Sequence, residues 1–274
     1  MGKVIDTVVA TATAPGASFT AMVTTLSGDS LSIRNADLSK PVWLLSMIGF
    51  VNVAGQIRIR SPKLHDARNG IQYFTRASDP MPLFPFERYQ RLYPQDTLVA
   101  EVIGSAVGGQ IETLIMQVLY TDIPGGNAPF IDENMLNQLS MNDMPQPVAH
   151  TAAVTGAYTN PLSLNVTQDN FKANTPYAVI GAEFDVTCGG ATLRGPDTGN
   201  YRIFVPGLAT NRWMSANWFI RLSAMLNQPL IPVIFSPNKA NTISEVIQTQ
   251  AGGAINVTWN LVELNTSFKM GQGM

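Results

Sequence analysis

The feature that most constrains this chain is a segment that occurs twice. "AEVIGSAVGGQI" spans Ala100–Ile111 and "SEVIQTQAGGAI" spans Ser244–Ile255, with six of twelve paired positions identical. "FVNVAGQIRIRSP" (Phe50–Pro62) and "FDVTCGGATLRGP" (Phe184–Pro196) share Phe, Gly, Arg and Pro at the same spacing. Matches that keep their order in both halves predict two copies of one supersecondary unit, arranged as two similar domains.

A third match and the local pattern both indicate β-structure. "SLSIRN" (Ser30–Asn35) resembles "PLSLNV" (Pro161–Val166), in the same order as the other two matches. Each half alternates short runs of β-branched and aromatic residues with Gly, Pro, Asn and Asp clusters, which predicts seven or eight strands per half. The glycine pairs Gly108–Gly109 and Gly252–Gly253 predict hairpin turns, because glycine tolerates positive φ. Eight strands in two packed sheets form a jelly roll.

The predicted fold class is therefore all-β, two tandem eight-stranded jelly-roll β-barrels with few short helices. Apolar spacing predicts a helix in Ser215–Gln228 with Ser215 as N-cap, and a second short helix within Asp132–Asp143. The predicted organisation is an N-terminal arm (1–16), a first jelly roll (17–123), an inter-barrel linker (124–160), a second jelly roll (161–265) and a C-terminal tail (266–274).

The low charge of the chain points to a surface covered by partners. Charged residues make up 13% of the chain, whereas soluble domains average roughly 25%. A membrane-spanning helix does not explain this, because no stretch approaches about 20 consecutive apolar residues. Interface cores are depleted of charge, so burial against other subunits is the expected explanation.

Other global features exclude further classes. The net charge of −2 argues against nucleic-acid binding, which needs a basic surface. The N-terminus does not read as a secretory signal. The single cysteine, Cys188, forms no internal disulfide and is expected to be a small buried side chain within a strand.

Tandem jelly rolls with low charge and abundant Asn, Gln, Thr and Pro resemble the double jelly-roll major capsid proteins of icosahedral viruses and phages, and the length of 274 residues suits a phage. The resemblance rests on the duplicated blocks and covers about residues 17 to 265. It implies a homotrimer whose six barrels form a pseudo-hexameric capsomer that tiles an icosahedral shell. It also implies a virion location after assembly in the host cytoplasm, with penton, spike or other capsid proteins as partners and contact, at most, with an internal lipid membrane.

Five aromatic residues are the candidates for contact between subunits. "MPLFPFERYQRLYP" is an apolar, proline-broken segment, and exposing it to water would favour aggregation. Its counterpart in the second half contains "LATNRWMSANWF". The interface candidates are Phe84, Phe86, Tyr89, Trp213 and Trp218.

Residues for chemistry are sparse. The two histidines, His65 and His150, lie in loop-like text and are expected at the surface, which disfavours a cupin-type metal site. Asp122, Asp132, Glu133 and Asp143 are expected to form a solvated loop rather than a calcium site. Glu101 and Glu245 are the equivalent acids of the two copies and are expected to face solvent or a neighbouring barrel. We therefore expect a structural protein, not an enzyme, with no catalytic, cofactor-binding or metal-binding residues.

Two alternatives stay open from the sequence. A tandem β-sandwich that binds carbohydrate, as in an adhesin or spike, predicts a shallow aromatic groove and a stable monomer. A two-domain β-sandwich enzyme acting on glycans predicts clustered acids and an open cleft between the halves. The scattered tryptophans disfavour the first, and the scarcity of histidine together with the low charge disfavours the second.

Overall fold

The computed structural model describes residues 2–24, 42–63, 68, 70–77, 90–92, 98–123, 129–151, 156–249 and 253–265. Within these residues, the first half of the chain forms nine strands. They are β1 (Gly2–Thr13), β2 (Thr20–Ala21), β3 (Val23–Thr24), β4 (Val42–Phe50), β5 (Gly55–Arg60), β6 (Ile71–Thr75), β7 (Gln90–Leu92), β8 (Val99–Ile103) and β9 (Ile111–Ile123).

The described part of the second half repeats this succession of strands and adds three α-helices. Its elements are β10 (Phe130–Ile131), α1 (Glu133–Leu139), β11 (Ser140–His150), β12 (Leu162–Ser163), β13 (Pro176–Phe184), β14 (Gly190–Arg194), β15 (Ile203–Pro206), α2 (Arg212–Ala216), α3 (Trp218–Leu226), β16 (Ile231–Phe235), β17 (Ile243–Ile247) and β18 (Ile255–Leu264). Short 3-10 turns lie at Pro196–Thr198, Ala209–Asn211 and Ser236–Asn241.

These strands form four antiparallel sheets, two in each half. The first large sheet has the order β3-β1-β9-β4-β7 and the first small sheet β2-β8-β5-β6. The second large sheet has the order β10-β16-β13-β18-β11 and the second small sheet β12-β17-β14-β15. If the eight principal strands of each half are numbered 1 to 8 in chain order, both halves have the orders 1-8-3-6 and 2-7-4-5. This is the jelly-roll topology, and the predicted fold class is confirmed.

The two halves also share their hydrogen-bonding register. In the first small sheet Arg58 lies opposite Glu101, and in the second Thr192 lies opposite Glu245. A β-bulge interrupts β4 between Leu44 and Ser46, and a second one interrupts β13 at the equivalent place, between Val179 and Gly181. A bulge inserts a residue and bends the strand, so this irregularity is part of the repeated unit.

The strand pairing corrects part of the sequence alignment. The residues matched between β5 and β14 are 134 positions apart in sequence, and those matched between β8 and β17 are 144 positions apart. The strand pairing agrees with both matches. In the large sheets Gly49 pairs with Leu114 while Phe184 pairs with Val257, so Phe184 corresponds to Gly49 and not to Phe50. Phe184 accordingly lies in the core of the second barrel, whereas Phe50 lies outside the first. A shift of one residue moves a side chain to the other face of a strand.

One further expectation from the sequence is wrong, and another falls on residues that the structure does not describe. The glycine turn at Gly109 has φ +83°, but it joins β8 to β9, which lie in different sheets, so it forms no hairpin. The third match falls on residues 30–35, which lie outside the described residues. The strand that occupies the place of β12 in the first small sheet is β2.

The domain boundaries also move. β1 falls in the range assigned to an N-terminal arm, yet it pairs along its length with β9 and is part of the first barrel. β11 falls in the range assigned to a linker, yet it pairs with β18 in the second barrel. β1 and β11 complete the large sheets of their barrels. The many polar and proline residues of β11, "SMNDMPQPVAH", hide the alternation by which a strand is predicted.

Helices form where the sequence predicted them, with different ends. Asp132 caps α1, its Oδ1 accepting a hydrogen bond from the backbone N–H of Met135 at 2.8 Å. The predicted single helix after Ser215 is divided into α2 and α3, with Asn217 between them. Ser215 lies inside α2 and is not a cap; its hydroxyl donates to the Pro206 carbonyl oxygen at 2.7 Å.

Gly181 allows α2 to lie directly on the second large sheet. A Cβ at this position would stand 2.2 Å from the backbone oxygen of Ser215 and 2.6 Å from that of Ala216. We expect Gly181→Ala to lower the free energy of unfolding by about 2 kcal/mol, because overpacking against backbone is relieved only by moving α2. Urea unfolding measures this, with Gly108→Ala as the control, since a Cβ there meets no atom within 4 Å. Equal stability of the two variants would contradict the prediction.

Candidate assembly surfaces

The outer face of the first large sheet is buried against the second half of the chain. Val9, Ile48, Phe50 and Ile115 form one apolar cluster with residues of the second half, namely Phe204, Leu208 and Ile247. Ile5, Leu45 and Leu119 join the core cluster that contains Trp218 and Phe219 of α3. The first large sheet therefore has apolar residues on both faces, one face packing inside its own barrel and the other against the second barrel.

Hydrogen bonds fix the relative position of the barrels. The buried Gln117 amide donates from Nε2 to the Phe204 carbonyl oxygen at 2.8 Å, and its Oε1 accepts from the Ser46 hydroxyl at 2.8 Å. The Thr7 hydroxyl donates to the Arg202 carbonyl oxygen at 2.6 Å. Buried polar groups with satisfied partners specify one arrangement, so these bonds favour a single relative position of the two barrels.

The sequence carries a signal for this contact in two strands that do not alternate. β4 reads "VWLLSMIGF" and β9 contains "LIMQVLY", both nearly continuous apolar runs. A strand buried on both faces has such a run, whereas a strand buried on one face alternates. β18, the counterpart of β9, reads "INVTWNLVEL" and alternates between buried and more exposed residues.

Each of the two repeated glutamates accepts from two arginines, of which Arg60 and Arg194 are equivalent in the two barrels. Glu101 accepts from Arg58 Nε at 2.6 Å and from Arg60 Nε at 2.8 Å. Glu245 accepts from Arg194 Nε at 3.2 Å and from Arg202 Nε at 2.7 Å. Both carboxylates are buried, so neither faces open solvent, and Glu245 lies on the side of its barrel that faces the first barrel, as the second part of the expectation had it. They lie on the outer faces of the two small sheets.

The surroundings of the two glutamates differ in one respect. Arg60 donates to Glu101 and lowers the pKa of that carboxyl. Burial raises the pKa of Glu245, but hydrogen bonds from Arg202 and Arg194 outweigh it and hold the pKa below its usual value. The backbone N–H of Arg202 also donates to Asp6 Oδ1 at 3.3 Å. The Glu245 cluster is thus connected to the first barrel.

We expect Glu245→Gln to lower the free energy of unfolding by about 2 kcal/mol, because it leaves two partly buried arginines without their anion. Glu101→Gln is the matched control, with an expected loss of about 1 kcal/mol, since Arg60 is more exposed and such pairs contribute less. Denaturant titrations at neutral pH measure both. A loss at Glu101 equal to or larger than that at Glu245 would contradict the assignment.

The predicted interface aromatics have different fates. Phe84, Phe86 and Tyr89 lie outside the described residues. Trp213 on α2 is 66% exposed, with the Arg221 guanidinium 3.3 Å from its ring centroid; its role between subunits stays a prediction. Trp218 is 1% exposed and packs in the core of its own chain, which places it away from any surface.

His150 lies inside the second barrel, and its prediction as a surface residue is wrong. Its Nε2 lies 3.0 Å from Ser244 Oγ and its Nδ1 lies 3.1 Å from Thr159 Oγ1. Trp259 Nε1 also donates to Ser244 Oγ, at 3.1 Å. Burial lowers the pKa of His150 to about 4. His65 lies outside the described residues.

Cys188 is buried, as predicted, but it lies in the turn between β13 and β14 and not within a strand. Burial raises the pKa of its thiol to about 12, so the thiol stays protonated and unreactive at neutral pH.

The acids that were predicted to share one loop lie on different elements. Asp132 caps α1, Glu133 lies in its first turn and Asp143 lies on β11; the Asp122 side chain lies outside the described residues. Within the part of the chain that the structure describes, no three His, Cys, Asp or Glu side chains are close enough to share a metal ion. None of the described helices has both the length and the apolarity needed to cross a membrane.

Comparison with known proteins gives no family. No protein-family model matches the chain, and no curated protein matches it. Among solved structures, the PBSX exported protein XepA aligns over 94% of this chain and 86% of its own, with 11% identity and a TM-score of 0.29. The major capsid protein P2 of bacteriophage PM2 aligns over 96% and 97%, with 6% identity and a TM-score of 0.26. These likenesses are weak, and the assignment of the fold rests on strand order and register.

Proposed function

We propose that this chain is the major capsid protein of an icosahedral virus, of the kind that infects bacteria. Its trimers form pseudo-hexameric capsomers, and the capsomers tile the shell. The protein is structural and performs no catalysis. Its partners are further copies of itself and other capsid, penton or spike proteins, and any internal membrane is touched but not crossed.

One observation carries the proposal: two jelly rolls of identical strand order and register are joined through a buried face. The contact between Phe50 and Ile115 on one side and Phe204 and Ile247 on the other is apolar and fixed by hydrogen bonds. A chain built in this way presents two similar barrels in a fixed arrangement, which suits a closed symmetric assembly. A flexible linker between independent domains would serve a tandem binding module better.

The low charge of the chain supports the same proposal. Uncharged polar groups cross an interface at less desolvation cost than charges do. A tile that is covered on its flanks by neighbours therefore needs fewer charged residues than a protein that stays in solution alone.

The solution mass of the purified protein tests the proposal. Native mass spectrometry or light scattering is expected to give three times the 29.6 kDa of one chain, or closed shells at higher concentration. A protein that stays monomeric at high concentration would overturn the proposal and favour the carbohydrate-binding alternative, which a glycan array then examines.

A further inference from the structure

The contact between the two barrels joins two unlike faces. On one side is the outer face of the first large sheet, with Val9, Phe50 and Ile115; on the other is the outer face of the second small sheet, with Phe204 and Ile247. Because both barrels have both kinds of sheet, each face in the contact has a counterpart that the contact does not use. Contacts between unlike faces are heterologous, and they repeat around a ring when the rotation closes.

The first unused counterpart is the outer face of the first small sheet, here called the exposed small-sheet face. It consists of Gln56, Arg58, Arg60, Gln72, Phe74 and Glu101. Strand pairing places Gln72 opposite Arg58, as Phe204 lies opposite Thr192, so Gln72 is the counterpart of the buried Phe204. Phe74, two residues along the same face of β6, is 79% exposed.

The second unused counterpart is the outer face of the second large sheet with the helix that lies on it, here called the exposed large-sheet face. It consists of Asp143, Pro147, Glu183, Asp185, Thr258 and Trp213. The equivalent positions in the first barrel are buried and apolar: Asp143, Pro147, Glu183 and Asp185 stand where the first barrel has Ile5, Val9, Ile48 and Phe50. Trp213 belongs to α2, which Gly181 admits onto this face.

The two faces are complementary in their aromatic residues and their charge. Among the aromatic side chains that the structure describes, Phe74 and Trp213 are the two most exposed. One lies on each face. The exposed small-sheet face has Arg58 and Arg60 around a single glutamate, with Arg76 exposed just beyond β6. The exposed large-sheet face has three acids and two arginines, since Arg212 pairs with Glu183 and Arg221 stacks on Trp213, so it keeps an excess of one acid. Opposite charges on facing surfaces set orientation and exclude wrong partners.

We propose that the exposed small-sheet face of one chain docks on the exposed large-sheet face of a second copy of this chain. The contact repeats between chains the head-to-tail arrangement that joins the barrels within a chain. It rests on the proposed function, and it names the surface through which three chains close a ring of six barrels. Phe74 and Trp213 are its aromatic anchors, and the basic and acidic groups orient the approach.

Two single charge substitutions test the contact. Phe74→Glu and Trp213→Glu are each expected to raise the concentration for half-maximal trimer formation by about tenfold or more, because charged replacement of an exposed anchor removes a hot spot. Val107→Glu is the matched control: Val107 is 59% exposed in the β8–β9 turn, on neither face, and this variant is expected to form trimers. Far-ultraviolet circular dichroism and thermal unfolding check that all three variants fold.

Mixing the variants tests the head-to-tail geometry. Phe74→Glu keeps an intact large-sheet face and Trp213→Glu keeps an intact small-sheet face, so a 1:1 mixture is expected to give a dimer of twice the chain mass and no trimer. Trimers of either variant alone at the concentration where the wild type is half trimeric, or a mixture that stays monomeric, would overturn the inference while leaving a trimeric wild type and the proposed function intact. A monomeric wild type would overturn the proposed function itself, and this inference with it.

Discussion

Phe204→Ala is expected to lower the free energy of unfolding by about 4 kcal/mol, the largest effect of any single substitution considered for this chain. The Phe204 ring is 1% exposed and lies in the apolar cluster between the barrels, beside Ile48, Phe50 and Ile115. Truncation removes the apolar surface that the ring buries and leaves a cavity that two rigid sheets cannot close. Urea unfolding followed by tryptophan fluorescence measures the loss.

The internal repeat supplies the control for this substitution. Gln72 is the counterpart of Phe204 in the first barrel and is exposed, so Gln72→Ala is expected to change stability by less than about 0.5 kcal/mol in the monomer. A loss below about 1 kcal/mol for Phe204→Ala would mean that the barrels pack loosely. That result would remove the rigid contact on which the proposed function depends.

Acid is expected to destabilise the second barrel through His150. Its folded pKa of about 4 lies below the usual 6.5, because burial disfavours the imidazolium. Between pH 6.5 and about 4 the His150 imidazole is therefore protonated in the unfolded chain and neutral in the folded chain. The free energy of unfolding falls as the pH falls through this window. The loss is about 1.4 kcal/mol per pH unit and about 3 kcal/mol in total, with no further contribution from this group at lower pH.

Comparison with His150→Gln isolates this contribution from the carboxylates. Glutamine keeps hydrogen-bonding capacity toward Ser244 and Thr159 but does not titrate. The unfolding free energy of the wild type minus that of His150→Gln is expected to fall from pH 7 through 5.5 to 4.5, because only the wild type loses the contribution of His150. Parallel pH profiles for the two proteins would show that His150 is protonated without cost in the folded state.

The duplication was predictable because turn residues and β-branched runs are local properties. The glutamates at 101 and 245 are equivalent in the structure as in the sequence, and so are Arg60 and Arg194. Equivalence failed at Phe50 and Phe184, where identity of residue type misled the alignment by one position. The bulges at Leu45 and Ile180 set the true register, and a bulge is fixed by the pairing of distant strands.

The aromatic candidates show the same division. Apolar periodicity found the helical segment that contains Trp213 and Trp218, but it could not tell which of the two would be covered. Trp218 lies at the start of α3, on the side that packs into the core, and Trp213 lies on α2, on the outer side. The difference depends on how α2 sits over Gly181, a contact between residues more than 30 positions apart.

The sequence by itself determined the class of fold, the number of barrels and the strands that correspond at the repeated glutamates, because alternation and turn chemistry act over a few residues. Only the tertiary structure decided which sheets meet. The outer face of the first large sheet has Ile5, Val9 and Ile48 where the second has Asp143, Pro147 and Glu183, and this difference matters because Phe204 and Ile247 pack against the first barrel. Burial is a property of what lies opposite a side chain, and in this chain the opposite residue can be far away in sequence: Thr7 and Arg202, which meet between the barrels, are 195 positions apart.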